Sequence, residues 1–191
     1  MLTHKGTVPL ETQRLILRRF TPDDAQEMFA NWASDEEVVR YLSWKAHSSP
    51  DNTRAFLEMA EKGYEKADNY QWALVLKETR TLIGSLAVVA VNEPIAEAEI
   101  GWVIGRSFWG RGLAPEALRQ VIAFLFDEVG FNRIKAVHNS QNPKSGRALI
   151  KSGMRYEGML RQAGLNSDGR TIDVCYYSIL KSDTRRTDKL Y

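Results

Sequence analysis

The sequence holds a single cysteine, Cys175, so no internal disulfide can form and a reducing compartment is the natural setting. Four-cysteine zinc sites are excluded with it. The three histidines, His4, His47 and His138, stand far apart and none has the spacing of a helical metal pair, so no metal is expected. No stretch of about 18 apolar residues occurs, which argues against a membrane span. Met1–Leu10 lacks the apolar run of a secretory signal, and a cytoplasmic location is expected. Charge of one sign is also missing. Lys and Arg total 26 against 24 Asp and Glu, a net +2, too little to suggest nucleic acid as a partner.

What is present suits one folded domain. The 191 residues are 43% hydrophobic and 26% charged, the balance of an ordinary globular protein with room for one core. The ends, residues 1–9 and 182–191, carry no apolar pattern and are expected to be loose. Residues 10–181 form the expected domain. Arg14–Arg18 reads as a short strand. Thr21-Pro22-Asp23-Asp24 reads as a helix start, with Thr21 capping and Pro22 first, and that helix runs to about Ala33. Short helices are expected over Asp35–Tyr41 and Thr53–Lys66.

A strand group follows at Gln71–Leu76, Leu82–Val91 and Glu97–Ile104. The second is almost continuously apolar and is expected to be covered on both faces. Leu118, Val121, Ile122, Leu125 and Val129 mark one helix face from about Pro115 to Glu128, stopped by Gly130. Arg133–Val137 is a strand, Asn142-Pro143 opens a helix ending at Gly153, and strands surround a turn at Asn166–Gly169. The sum is an α+β domain with a central, mostly antiparallel mixed sheet flanked by helices.

The informative segment is Trp109-Gly110-Arg111-Gly112-Leu113-Ala114, between a strand end and a helix start. Backbone amides at such a start, with the helix dipole behind them, suit an anion. A P-loop needs Lys then Ser or Thr after its last glycine, and Gly112 is followed by Leu113 and Ala114. A dinucleotide fingerprint needs a third small residue and an acid about 20 residues on, and Pro115 and Phe131–Ile134 supply neither. Taken alone, the segment fits equally a phosphate site or a tight turn that lets the helix pack.

The surroundings carry a resemblance. Trp109–Ala114, continuing Pro115-Glu116-Ala117, resembles the acyl-CoA loop of the GNAT superfamily of N-acetyltransferases, in the W-G-x-G-x-A-x-E-A form of the RimJ/RimL-like ribosomal-protein branch. Leu10–Arg18 resembles that branch's opening E-T-x-R-L-x-L-R. Ala98-Glu99-Ile100-Gly101-Trp102 resembles its fourth strand. Asn142 with Ser145, then Gly153-Met154 and Glu157-Gly158, resemble its N-x-x-S block, and Asn166–Asp173 its closing N-x-x-G-x-x-x-D.

The resemblance implies transfer of acetyl from acetyl-CoA to a primary amine by direct attack on the thioester, with no metal. The acceptor is then a protein N-terminus or a small molecule such as a polyamine or antibiotic. The amides from Gly110 to Ala114 would grip the pyrophosphate, with Trp109 and Arg111 beside them, Arg111 being either an added charge or a solvated loop residue. The backbone of Val103 and Ile104 would pair with the pantetheine arm, and Gly101 is a candidate bulge in that strand.

Glu99 is the candidate base, on one strand face with Glu97, Gly101 and Val103; the competing reading is an exposed or structural carboxylate. Asn142 would touch pantetheine and Ser145 would protonate the leaving thiol, while both also make sense as helix-cap residues. Leu149 stands where many members carry a tyrosine acid, and Gly164 where some relatives carry a glutamate base. Trp44 and His47 are candidates for the acceptor pocket, against packing and a surface loop. Cys175 reads as core. A GNAT-fold binder of acyl-CoA without turnover is the competing functional reading.

Overall fold

The computed structural model describes residues 2–187. Its centre is one eight-stranded sheet in the order β1-β2-β3-β4-β5-β6-β8-β7. The strands are β1 (Leu10–Glu11), β2 (Leu15–Arg18), β3 (Gln71–Leu76), β4 (Leu82–Asn92), β5 (Glu97–Ile104), β6 (Arg133–Asn139), β7 (Arg155–Leu165) and β8 (Thr171–Leu180). The helices are α1 (Ala25–Met28), α2 (Glu36–Val39), α3 (Pro50–Gly63), α4 (Leu113–Phe124), α5 (Pro143–Lys151) and α6 (Lys181–Thr187). Every neighbouring pair is antiparallel except β5–β6, which a crossover through α4 makes parallel. This is the expected α+β architecture.

Strand alternation sorts the core onto two faces. Leu15, Leu17, Leu74, Ala98, Ile100 and Ile104 meet α4 through Leu113, Ala117, Leu118 and Val121. Ala73, Val75 and Leu82, joined by Val103, meet Phe20, Met28, Trp32 and Leu57 on the side of α1–α3. Glu97, Glu99 and Gly101 share the parity of Val103, so they belong to the α1–α3 face.

Local chemistry explains the helix starts. Asp24 accepts from the Thr21 amide at 2.9 Å and holds Arg18 through two bonds of 2.8 and 2.7 Å. The expected helix to Ala33 is there, ending in a π turn over Phe29–Ala33 that buries Trp32. Ser49 caps α3 ahead of Pro50, three residues before the expected start, and Gly112 and Asn142 cap α4 and α5.

Three expectations are corrected. β4 is covered only over its first half; beyond Leu86 it outruns the helices, and Val89 and Val91 are exposed. The bulge lies in β4, not at Gly101: Val88 faces Ile100 and Ala90 faces Glu99, leaving Val89 extra while β5 runs on evenly. The start of the chain is tied down, because its polar groups find distant partners. Thr3 N donates to Val129 O, His4 bonds Tyr70 and Glu93, and Thr7 is buried. At the other end, the segment expected to fray is helical up to Thr187, and 188–191 lie outside the described residues.

An ionic ladder crosses the β5–β6–β8–β7 end of the sheet. Arg133 donates to Glu97 at 2.6 Å, to Glu157 at 2.8 Å and to Ser178 at 2.8 Å. Its hydrogen bonds hold the Glu157 carboxyl at a pKa of about 2 against the opposing pull of burial, with help from Ser178. A carboxylate depressed from 4.5 in the folded state stabilises the fold above pH 4.5, and that contribution disappears as pH falls toward 2. Urea unfolding of the wild type is therefore expected to lose stability across pH 4.5 to 2, and Arg133→Met to flatten that slope. Glu157 is 40% exposed, so solvent screening keeps the gain small. Equal slopes in the two proteins would remove Arg133 as the cause.

Candidate active site

β5 ends at Ile104, and Gly105 leads into a 3-10 turn over Arg106–Phe108. Gly110 and Gly112 both sit at φ +75°, the left-handed region that side chains resist, and nothing lies within 4 Å of where a Cβ on Gly110 would point. The first turn of a helix cannot satisfy its own amides. Here Pro115 has none to satisfy, and among the described residues no amide from Gly110 to Ala114 donates to a protein acceptor. The segment offers amides without protein acceptors beside an open space at Gly110, which suits an anion such as a pyrophosphate.

A lock beneath it sets this geometry. Glu116, 12% exposed, accepts from Thr12 Oγ1 at 2.6 Å, from Arg14 N at 2.9 Å and from Arg14 Nε at 2.7 Å. Arg14 Nη1 reaches on to the Arg111 carbonyl at 2.9 Å. Burial raises the pKa of the Glu116 carboxyl, and the bonds from Thr12 and Arg14 outweigh it to give a net lowering. The opening strand motif and the glycine segment are thus two halves of one structure. Arg111 itself lies over the Phe108 ring, 5.8 Å from its centroid.

β5 and β6 pair over only three rungs: Glu97 with Arg133, Ala98 with Ile134, and Glu99 with Lys135. Past Glu99 they diverge. β6 continues against β8 to Asn139, while Ile100–Ile104 pair only with β4 among the described residues. The result is a wedge whose apex is the Glu99–Lys135 rung and whose mouth carries the glycine loop on one side and α5 on the other. Lys144 of α5 places its Nζ 4.6 Å over the Trp109 ring, and the Trp109 indole donates to the Ile104 carbonyl at 2.6 Å. Trp109, Ile104 and the first turn of α5 are therefore brought together. Val103 lies on the wedge's β5 wall beside Ile104.

In that first turn, Asn142 Oδ1 accepts from Ser145 N at 3.4 Å, so Asn142 acts as a cap. Ser145 is half-buried and its hydroxyl makes no hydrogen bond among the described residues. Leu149 is fully buried in the core. Cys175 is half-buried against the same core.

Trp44 and His47 pack together, ring centroids 5.5 Å apart, on the α1–α3 face. His47 bonds Thr53 at 2.8 Å, lies 6.3 Å from the Phe56 ring, and has its pKa lowered by burial, which keeps the ring neutral. Lys45 between them bridges to Asp168 in the β7–β8 turn at 3.1 Å. No hydrogen bond or ion pair among the described residues joins Glu99 to Ser145, Trp44 or His47. Glu99 instead meets Lys135 at 3.4 Å, and Lys135 meets Glu97 at 3.1 Å. Lys135 and Arg133 went unnoticed in the sequence, although the Arg-x-Lys alternation of one strand answers the Glu-x-Glu of the other.

Similarity to known proteins gives the family. The model of the acetyltransferase (GNAT) domain family matches residues 14–155. The uncharacterized N-acetyltransferase YoaA of Bacillus subtilis is 34% identical over 172 residues, covering 90% of this chain and 96% of its own. The [ribosomal protein uS5]-alanine N-acetyltransferase of Escherichia coli is 25% identical, covering 83% and 85%. Among solved structures, an acetyltransferase of the GNAT family from Bacillus anthracis superposes with a TM-score of 0.80 at 25% identity, over 92% of this chain and 99% of that one. Glycine loop, split parallel pair and family match coincide along the same residues, and the chain belongs to the GNAT acetyltransferase family.

Proposed function

We propose that this acetyltransferase moves the acetyl group of acetyl-CoA to the α-amine of a protein N-terminus. The observation that carries the reading is the wedge between β5 and β6, with free loop amides at its mouth and a carboxylate at its apex. In this reading the amides from Gly110 to Ala114 hold the pyrophosphate, and the exposed edge of Val103 and Ile104 holds the pantetheine arm as an added strand would. Trp109 steadies that edge through its bond to Ile104, and Asn142 orders the first turn of α5. Arg111 supplies charge near the phosphates.

The chemistry needs a neutral amine. An ammonium gives one proton to Glu99, directly or through water; the neutral amine attacks, the C–N bond forms as the C–S bond breaks, Ser145 gives its proton to the departing sulfur, and the second proton of the amine nitrogen returns to Ser145, directly or through water. Trp44 and His47 line the acceptor side, His47 as a neutral, hydrogen-bonding ring. The α-amine is favoured over lysine on physical grounds. Its pKa is near 8 against about 10.4, so neutralising lysine costs about 3 kcal/mol more. The similarity to the uS5-alanine enzyme supports the same choice. A cytoplasmic setting, where the lone thiol of Cys175 stays reduced, belongs to this reading.

Binding of acyl-CoA without turnover is the second reading, favoured by Leu149, whose buried side chain leaves no tyrosine acid. Calorimetry with acetyl-CoA, followed by a thiol-release assay over N-terminal peptides, polyamines, amino acids and aminoglycosides, decides between them. Release with N-terminal peptides is expected; release only with a small amine would move the acceptor, and tight binding with no release would favour the second reading.

A further inference from the structure

We propose that Lys135 is a positioning residue for acetyl transfer: it fixes Glu99 at the apex of the wedge, aimed at the proton of an incoming ammonium. The inference rests on the transferase reading above and adds to it a residue that neither the sequence motifs nor the family resemblance assigns.

The ladder runs in one direction. Glu157 and Glu97 share Arg133; Glu97 gives its other oxygen to Lys135 at 3.1 Å; Lys135 reaches Glu99 at 3.4 Å. Three carboxylates thus meet two cations, and Glu99 is the last and least tightly held. Lys135 remains charged: burial lowers its pKa, and Glu97 followed by Glu99 more than reverse that. Its side chain is 24% exposed and that of Glu99 22%, so the pair is shielded yet reachable.

The groups around Glu99 are few. β6 presents Lys135 and β5 presents Glu97, with Arg133, Glu157 and Ser178 acting on it through Glu97. β4 offers Ala90 and Val88 alongside, and no ion pair from α1–α3 reaches Glu99 among the described residues. A purely structural tie between β5 and β6 already exists in Arg133–Glu97. Lys135 does something more, because Glu99–Lys135 is the last rung before the strands part. One cation there aims the carboxylate along the wedge and is the charge nearest to it.

Two variants change the charge beside Glu99 in opposite ways. Lys135→Met removes the cation, so Glu99 takes up protons at higher pH. Glu97→Gln frees Lys135 for Glu99 alone, so Glu99 takes them up at lower pH. The readouts are the acid limb of the kcat/KM pH profile and, without any substrate, the titration of the 13C-labelled Glu99 carboxylate by NMR. Lys135→Met is expected to move both up by about one pH unit with KM for acetyl-CoA unchanged, and Lys135→Arg to restore them. Glu97→Gln is expected to move them down. In a Glu99→Gln background, Lys135→Met should shift nothing further.

A Glu99 titration that stays put in both variants overturns the proposal, as does a Lys135→Met enzyme slowed evenly at every pH. Should no amine yield CoA from the wild type, the transferase reading fails on its own, and the NMR titration still decides whether Lys135 governs Glu99. If Lys135→Met does not fold, Lys135→Gln carries the test, with the same upward shift expected.

Discussion

Replacement of Gly112 by valine is expected to weaken CoA binding about 100-fold, or about 2.8 kcal/mol at 1.4 kcal/mol per decade, while the sheet stays folded. Gly112 caps α4 at φ +75°, a conformation that costs an ordinary L-residue about 1–2 kcal/mol and a β-branched one more. The chain relieves that strain by rotating the loop amides proposed to hold the pyrophosphate. A Cβ here also lies 3.6 Å from Arg14 Nη2, so the valine methyls press on the lock that holds the Arg111 carbonyl. Calorimetry measures the affinity, and thermal unfolding checks that the fold survives. Wild-type affinity in the variant would mean that the cofactor is held elsewhere.

Glu99→Gln is expected to lower kcat about 100-fold near pH 7 and to leave KM for acetyl-CoA alone. The amide keeps the size and the contact with Lys135 but accepts no proton. The sign of the pH response is what separates a base from a strut. As pH rises toward about 8, a growing share of an α-amine is already neutral, so the deficit should shrink. A structural loss would be the same at every pH, and undiminished activity would leave the amine to lose its proton to water alone. Steady-state kinetics from pH 6 to about 9 give the answer.

Local pattern made some of this readable. Gln71–Leu76 and Glu97–Ile104 are strands to the residue because strand-forming side chains end at turn-forming ones. The glycine loop was readable because left-handed backbone and close approach leave few residue choices. The bare second half of β4 is not legible in its sequence, because an apolar run says nothing about where the covering helices stop, and its bulge at Val89 depends on the partner strand. The first nine residues looked loose because their bonds go to Tyr70, Glu93 and Val129, far along the chain. Lys135 needed the parallel register of β5 and β6, which depends on the α4 crossover; without it, two charged alternations are only two solvated faces.

The lock under the glycine loop has a consequence for how the protein becomes active. Arg14 and Glu116 are 102 positions apart, so a chain emerging from the ribosome carries one long before the other exists. The lock beneath the proposed anion cradle closes only when Thr12 and Arg14 have met Glu116. By mass action, whatever fills the cradle also steadies the edge of the sheet made first. In the proposed reading, cofactor supply during synthesis acts as a folding aid, and trimming the chain past Thr12 removes a partner of Glu116 a hundred residues away.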